Sequence, residues 1–336
     1  MNINTQQISG VPTNIITGFL GTGKTSAILN LLKSKPTHEK WAVLINEFGE
    51  IGVDGSLFEG QHNEEQGVYI REVPGGCMCC AAGLPMQIAL NLLLVRARPQ
   101  RLLIEPTGLG HPIEVLEALS AEHYNQTLSI QKVLTLVDAR KLTDSRYTEH
   151  ATFNQQIAIA DVLVGNKQDL YQPEDKAILQ AYAQEHGSAS VQVIFAENGE
   201  IDPIWLAGAT AAKVKRAHHH AKLQKPSLYE QPPIPESGFI RAVNQGEGFH
   251  SIGWRITPNK TFDRIKLLTF FNGLTVERMK AVFITENGVF GYNLTTDGLT
   301  ELELDDCLES RIEIIATRID EVWEKNLKEC IVESIT

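Results

Sequence analysis

The fold is decided by residues 14–32, which read Asn14-Ile15-Ile16-Thr17, then Gly18-Phe19-Leu20-Gly21-Thr22-Gly23-Lys24-Thr25, then Ser26-Ala27-Ile28-Leu29-Asn30-Leu31-Leu32. The first four residues predict a short strand, and the last seven have helical spacing. The segment between them is G-x-x-x-x-G-K-[ST], the pattern of a phosphate-binding loop (P-loop), in the strand–loop–helix setting that this pattern requires. The alternative is a glycine-rich turn that holds no ligand.

The glycines of this loop let successive backbone N–H groups turn inward around an anion, and the helix N-terminus adds the positive end of its dipole. We expect Lys24 to reach the β- and γ-phosphates and the Thr25 hydroxyl to bind Mg²⁺. The predicted phosphate-binding residues are Gly18, Gly21, Thr22, Gly23, Lys24, Thr25 and Ser26.

Apolar runs rich in Val, Ile and Leu alternate with helical spacing as far as about Phe195, which predicts a doubly wound α/β domain over residues 1–210 with a mainly parallel sheet. The predicted strands are Asn14–Thr17, Trp41–Asn46, Arg101–Glu105, Lys132–Val137, Val162–Asn166 and Val191–Phe195. The predicted helices are Thr25–Lys33, Leu84–Ala97 and Glu174–His186. Right-handed crossovers place such helices between parallel strands.

A Lys-, His-, Gln- and Pro-rich stretch over residues 211–236 predicts a linker, which contains the run His218–His220. The segment 237–336 that follows predicts a smaller α+β domain. Its predicted strands are Phe239–Val243, Lys280–Thr285 and Val289–Leu294, and its predicted helices are Phe262–Phe271 and Ile319–Leu327.

The choice of base is predicted from Asn166-Lys167-Gln168-Asp169, directly after the apolar run Val162–Val164. A carboxylate such as that of Asp169 can accept from both N1–H and the exocyclic amine of guanine, whereas adenine offers no such pair of donors. GTP is therefore favoured over ATP as the ligand, with Asn166 and Lys167 as further binding residues. A polar turn at the end of a strand is the alternative.

A further acidic residue is expected near the magnesium ion, at the end of another strand. Glu105 in Leu102-Leu103-Ile104-Glu105-Pro106-Thr107-Gly108 is the candidate, and Gly108 could present its N–H to the γ-phosphate. GTPases usually have Asp at this place. Glu is one methylene longer, so its contact with Mg²⁺ could be direct or through water.

Net charge and cysteine content restrict the class of protein. A formal charge of −11 and a pI near 5.4 argue against binding of nucleic acid through its phosphates. Residues 1–12 lack the pattern of a secretory leader, and no apolar run approaches the length of a membrane span, so we expect a cytoplasmic protein without membrane contact. Five cysteines do not fit a secreted disulfide framework.

Three of these cysteines are packed into Gly75-Gly76-Cys77-Met78-Cys79-Cys80, before the predicted helix at Leu84. Thiolates at a helix N-terminus have a lowered pKa and bind soft or borderline cations. A buried unreactive cluster and a redox pair are the alternatives. Cys307 and Cys330 are isolated and are interpreted as small core or helix residues.

These motifs together resemble the CobW family of P-loop GTPases, relatives of the metallochaperones UreG and HypB. The matching motifs occur in the family's order: Gly18–Thr25, Asn46-Glu47-Phe48-Gly49-Glu50, Cys77–Cys80, Glu105–Gly108 and Asn166–Asp169. Two positions depart from the family pattern. Met78 stands where an aliphatic residue is common, and Pro106 stands where Thr is common, which would stiffen this segment.

The resemblance implies hydrolysis of GTP, with Mg²⁺ as cofactor, coupled to delivery of Zn²⁺ or Co²⁺ to a metal-requiring client protein. Cys77, Cys79 and Cys80 would be metal ligands, and Glu47 and Glu50 would lie on a nucleotide-sensitive switch. Accordingly, Lys24, Thr25, Glu47 and Glu105 are the predicted catalytic residues, and Glu50 and Thr25 complete the predicted metal ligands. A homo-oligomer remains an open possibility, as does binding of metal by His218–His220.

Two other functions compete with this hypothesis. A GTP-dependent regulatory or assembly scaffold would use the cysteines only to sense metal and would show negligible turnover. An ATP-dependent kinase would need an acceptor site, and the guanine-type pattern Asn166–Asp169 argues against it.

Overall fold

The computed structural model describes residues 8–45, 64–73, 84–212, 233–246, 248–304 and 306–332. The chain divides into two compact units. Among the described residues, those up to 212 form the first unit and those from 233 onward form the second. None of the helices described is long and apolar enough to cross a membrane.

In the described part of the first unit, eight parallel strands form the sheet. They are β1 (Val11–Gly18), β2 (Trp41–Ile45), β3 (Val68–Glu72), β4 (Arg101–Glu105), β5 (Leu128–Ile130), β6 (Leu134–Val137), β7 (Val162–Gly165) and β8 (Gln192–Phe195). Their order is β3-β2-β4-β1-β6-β7-β8, with β5 pairing with the first residues of β1. The burial of whole strands such as Trp41–Ile45 explains why they read as continuous apolar runs.

The helices of this unit follow the strands as crossovers. They are α1 (Lys24–Lys33), α2 (Leu84–Ala97), α3 (Pro112–Leu119), α4 (Ser145–Thr148), α5 (Ala151–Ala158) and α6 (Asp175–His186). Leu90 and Leu94 of α2 and Leu116 of α3 share one apolar core with Ile15 and Ile104 of the sheet. The predicted parallel α/β fold is confirmed.

The strand order reverses beside β1, and this places the ligand crevice. The second half of β1 pairs with β6 on one side, and its middle pairs with β4 on the other. Because parallel strands bring their carboxyl ends to one edge, the segments after Gly18 and Glu105 meet there. Open α/β sheets bind ligands at such a switch point.

The second unit is a six-stranded antiparallel sheet with two described helices, so the predicted α+β domain is confirmed. Its strands are β9 (Phe239–Gly246), β10 (Phe249–Ile256), β11 (Arg278–Thr285), β12 (Gly288–Thr295), β13 (Gly298–Leu304) and β14 (Ser310–Ala316). The order is β13-β12-β11-β14-β10-β9. Its helices are α7 (Arg264–Asn272) and α8 (Val322–Glu329), and their Leu267 and Leu327 lie in one core with Trp254.

Several predicted boundaries differ from the structure for local reasons. Helix α7 begins two residues later than predicted because the Asp263 carboxylate accepts from the N–H groups of Ile265 and Lys266 and so caps the helix. Helix α8 begins three residues later, after Asp320, whose side chain accepts from Val322 N–H. The predicted strand Lys132–Val137 begins only at Leu134, since Lys132 N–H donates to the carbonyl of Gly208.

Candidate nucleotide-binding site

The P-loop connects β1 to α1 as predicted. Gly21 and Gly23 have φ of 70° and 92°, a region that side chains disfavour, so glycine is required there for the loop to turn. A Cβ on Gly18 would lie 2.4 Å from the carbonyl oxygen of Leu136 in β6. Lys24 is 5% exposed, and its Nζ donates to the carbonyl of Phe19 at 3.2 Å. The lysine therefore already points into the loop.

The residues predicted to bind Mg²⁺ meet at the start of α1. Thr25 Oγ1 lies 3.3 Å from Glu105 Oε1, although 80 residues separate them in the chain. Glu105 is only 3% exposed. A hydroxyl and a carboxylate oxygen side by side are the donors that a hard cation prefers, so this pair fits a magnesium ion. Ser26, the last predicted phosphate ligand, is exposed at the next position.

Gly108 lies against the P-loop. A Cβ on this residue would be 3.0 Å from Leu20 Cδ2, 3.3 Å from Leu20 N and 3.2 Å from Lys24 Nζ. Any side chain would therefore intrude beside the lysine that is expected to bind the γ-phosphate. Gly108 thus lies beside Leu20 and Lys24 of the P-loop, and its role toward the γ-phosphate stays a prediction.

Asn166 is buried and joins three segments of the site. Its Nδ2 donates to the carbonyl of Thr22 in the P-loop at 2.9 Å, and its Oδ1 accepts from Gly199 N–H at 2.9 Å. Gly23 has no room for a Cβ because one would lie 2.5 Å from Asn166 Nδ2. Both the nitrogen and the oxygen of the Asn166 side-chain amide therefore hold neighbouring segments of the site together.

Lys167 and Asp169, the other two residues predicted to bind the base, follow the end of β7. Lys167 has a φ of 62°, and its Nζ is 3.8 Å from Asp138 Oδ2. Asp169 lies in the 3₁₀ turn Gln168–Leu170 and is exposed to solvent. The exposed Asp169 carboxylate is open to a ligand, and its recognition of guanine stays a prediction.

Tyr171 supports this turn, a role that sequence reasoning missed. Its hydroxyl donates to the carbonyl of Asn166 at 2.6 Å and accepts from Ala139 N–H at 3.0 Å. Burial raises the pKa of Tyr171 well above its usual value, with the nearby Asp138 carboxylate adding to the effect. The phenol therefore stays neutral and keeps the proton that it donates to the Asn166 carbonyl.

Sequence reasoning also missed the loop after β8. Asn198 and Gly199 both have positive φ, and the Asn198 carbonyl accepts from Asn30 of α1 at 2.9 Å. A Cβ on Gly199 would lie 2.7 Å from Ala27 N, so this loop packs directly on the first turn of α1. The dipeptide Asn-Gly after an apolar strand is a turn signal that could have indicated it.

The sequence profile of the CobW/HypB/UreG nucleotide-binding domain matches residues 12–195. This range runs from the second residue of β1 to the end of β8 and contains every residue predicted to bind nucleotide.

The chain belongs to the CobW/HypB/UreG family.

Relatives of this CobW-family protein match over most of its length. The zinc chaperone YeiR of Escherichia coli strain K12 is 39% identical over 311 residues, which cover 91% of this chain and 93% of the relative. The zinc chaperone CobW of a Sinorhizobium species is 28% identical over 239 residues, which cover 62% of this chain and 67% of that relative. The crystal structure of the Zn(II)-bound YjiA GTPase from E. coli aligns with a TM-score of 0.45 and 18% identity, covering 96% of this chain and 99% of that one.

Apart from Thr25, the predicted metal ligands of this CobW-family protein lie outside the described residues. These are Cys77, Cys79, Cys80 and Glu50, and the switch residue Glu47 and the run His218–His220 lie outside them as well. Within the ranges that are described, no cluster of three or more His, Cys, Asp or Glu side chains could hold a metal ion. The thiolate site remains a prediction.

The remaining cysteines are poor metal ligands. Cys330 is buried at the end of α8, and Cys307 is half-buried. Burial raises the pKa of each thiol to about 11, so both keep their protons at neutral pH. Their interpretation as packing residues agrees with these environments.

Proposed function

We propose that this protein binds and hydrolyses GTP and couples its nucleotide cycle to the binding of zinc or cobalt and its transfer to a client protein. The observation that carries the nucleotide part is the meeting of Thr25 and Glu105 at 3.3 Å beside a P-loop whose lysine faces Gly108. Lys24 and Thr25 come from the start of α1, Glu105 ends β4 and Gly108 follows it, and each would have a defined part in phosphoryl transfer.

The chain's own residues would hold the triphosphate in place. Lys24 would exchange the Phe19 carbonyl for phosphate oxygens, a stronger and charge-assisted partner. Thr25 and Glu105 would hold Mg²⁺, which when bound neutralises charge on the phosphates. Gly108 N–H would donate to the γ-phosphate. Positioning and electrostatic stabilisation are the main contributions that a protein makes to this reaction.

Base recognition would depend on the exposed Asp169 carboxylate, which accepts two hydrogen bonds from guanine. The Asn166 amide would act indirectly, because both its donor and its acceptor already hold the P-loop and the 196–200 loop. Asn166 is therefore assigned as a positioning residue, and Asp169 is assigned the selection of guanine over adenine.

The metal part of the proposal is supported by the chemistry of the cysteine cluster and by the relatives. The YeiR and CobW relatives are both named zinc chaperones. Cys77, Cys79 and Cys80 supply up to three thiolates to one cation, and Glu50 supplies a carboxylate. Soft sulfur ligands suit Zn²⁺ and Co²⁺ better than Mg²⁺, so the two metals would use separate sites.

Phosphate release from GTP and from ATP, with and without one equivalent of Zn²⁺, tests the proposal. We expect slow release from GTP alone, no release from ATP, and no release from GTP in Lys24→Ala. Tight binding of GTP with no turnover under any of these conditions would favour the regulatory scaffold instead.

A further inference from the structure

Helix α5 (Ala151–Ala158) touches two phosphate-sensing segments of the first unit. At its start, His150 caps the helix by accepting from Thr152 N–H, and its ring packs against Phe19 of the P-loop with centroids 4.8 Å apart. Near its end, Gln156 Nε2 donates to the carbonyl of Gly108 at 3.0 Å. One helix of eight residues therefore contacts both the P-loop and the Glu105–Gly108 segment.

The Gln156 side chain is an unusual group to bury at this point. It is 1% exposed, and its Oε1 has no hydrogen-bond partner among the described residues. Burying an amide with an unsatisfied acceptor is unfavourable for folding. A methionine of the same length would fill the same space without that acceptor. Stability alone therefore does not explain why an amide is placed here.

In the part of the chain that the structure describes, the one side-chain hydrogen bond that Gln156 makes holds the carbonyl of Gly108. Its acceptor is the Gly108 carbonyl, and the space beside the Gly108 Cα contains Lys24 Nζ and Leu20. The Gln156 backbone is itself held, because its carbonyl accepts from Thr135 Oγ1 of β6 at 2.8 Å. The amide thus connects Gly108 to a helix that is anchored on the central sheet.

We infer that Gln156 is a positioning residue that holds Gly108 in the orientation in which its N–H can bind the γ-phosphate. The Gly108 N–H lies in the preceding peptide group, whose Thr107 carbonyl accepts from Gly110 N–H at 3.0 Å. The Gln156 hydrogen bond therefore acts on this N–H through the two backbone torsions of Gly108, which glycine leaves free to rotate when its carbonyl is released. GDP has no γ-phosphate, so its binding does not depend on Gly108. The inference rests on the proposed function, since it assigns a role in the same nucleotide site.

The test compares the affinities of Gln156→Met for GDP and for a non-hydrolysable GTP analogue, both with Mg²⁺, in the full chain. Loss of one neutral hydrogen bond corresponds to roughly a 3- to 10-fold effect. We expect affinity for the analogue to fall by about that factor, affinity for GDP to stay within about twofold, and the Tm of the nucleotide-free protein to be retained. Hydrogen exchange of the peptide containing residues 105–110 should be faster in the variant with the analogue bound.

Gln155→Met is the matched control. Gln155 has the same side chain one position earlier on α5, but its Oε1 lies against His111 Nδ1 at 3.2 Å rather than against Gly108. We expect this variant to bind both nucleotides as the wild type does. If Gln156→Met does not fold, Gln156→Leu replaces it in the same comparison.

Three results would count against the inference. Unchanged affinity of the Gln156 variant for the analogue would overturn it. An equal loss of GDP and analogue affinity together with a lower Tm would also overturn it, because that pattern indicates a purely structural role. Binding of neither nucleotide by the wild type would overturn the proposed function and, with it, this inference.

Discussion

The Asn166 amide donates to the carbonyl of Thr22 across 2.9 Å and across 144 residues of sequence. It thereby joins the segment that is proposed to read the base to the loop that is proposed to hold the phosphates. Removal of this buried hydrogen bond would disturb both functions at once, whereas changes at Asp169 and Lys24 should separate them.

Asp169→Ala should weaken GTP binding by two orders of magnitude or more, because two guanine donors lose their acceptor. Asp169→Asn should favour xanthosine triphosphate over GTP, since the amide donates to the carbonyl that xanthine carries in place of the guanine amine. Competition between labelled and unlabelled nucleotides measures both effects. Equal affinity of the wild type for ATP and GTP would refute the assignment of Asp169.

Lys24→Ala should abolish GTP turnover, since Lys24 is the only positively charged residue in the P-loop sequence Gly18–Thr25 and is expected to reach the β- and γ-phosphates. Lys33→Ala is the matched control because Lys33 is an exposed lysine in the last turn of the same helix. The GTP turnover of Lys33→Ala should equal that of the wild type. Release of phosphate by Lys24→Ala at the wild-type rate would place the nucleotide site elsewhere.

Gly199→Ala should lower both stability and nucleotide affinity. The new Cβ would lie 2.7 Å from Ala27 N at a φ of 75°, so the loop would be pushed away from α1 and from Asn166. Gly248→Ala is the control, since its φ is 80° but no atom lies within 4 Å of the position that its new methyl group would take. The control should lose about 1 kcal/mol in the free energy of unfolding and keep its affinity for nucleotide.

Chemical denaturation and GDP titration of the two glycine variants measure these quantities. We expect Gly199→Ala to lose at least about 2 kcal/mol, because steric conflict adds to the backbone term. Equal losses in both variants would show that contact with α1 contributes nothing beyond the cost of the left-handed conformation.

One divalent metal should bind per chain through Cys77, Cys79 and Cys80, with affinity rising from pH 6 to pH 8 as the thiols lose their protons. Cys79→Ser with Cys80→Ser should abolish this binding. Cys307→Ser with Cys330→Ser is the control, since a pKa of about 11 keeps both thiols protonated throughout that range. If Cys79→Ser with Cys80→Ser still bound metal with the wild-type stoichiometry, the metal site would lie at His218–His220 or in the second unit.

Metal affinity should depend on the bound nucleotide if the proposed cycle is coupled. Linkage requires the effect to be reciprocal, and typical coupling of about 1–3 kcal/mol corresponds to roughly 5- to 150-fold. We expect the GTP state to bind metal more tightly than the GDP state, so that hydrolysis favours release. Competition with a metal indicator measures the metal affinity without nucleotide, with GDP and with a GTP analogue. Three identical affinities would contradict the coupling.

The sequence predicted the parallel sheet and the strand–loop–helix arrangement around the P-loop because both are encoded locally. The P-loop pattern covers eight consecutive residues, and the burial of β2, β4 and β7 on both faces makes their apolar runs continuous. Glu105 was proposed as the acid near Mg²⁺ because it directly follows such a run, and the structure places it beside Thr25. Local patterns of this kind specify the type of an element well and its ends less well.

Other features could not be predicted because they depend on distant residues. Nothing near Gln156 indicates that its amide meets Gly108, and nothing near Tyr171 indicates that its hydroxyl meets the Asn166 carbonyl.

In the second unit, β10 and β14 were missed although Ile252, Trp254 and Ile256 alternate with polar or small residues. That period of two was available in the sequence, so this omission was an error of interpretation rather than a lack of signal.

The hydrogen bonds of Asn166 also set the order of events during protein synthesis. The P-loop is made early, but its partners Asn166 and Gly199 are made much later, and β1 cannot complete its pairing until β4 and β6 exist. At about 5–20 residues per second, the ribosome takes roughly 7–30 s to advance from Thr22 to Asn166. During that time the nascent chain carries apolar strands with unpaired edges. Assembly of the nucleotide pocket is therefore a late step, and release from the ribosome before the 196–200 loop is made would leave a chain that cannot retain GTP.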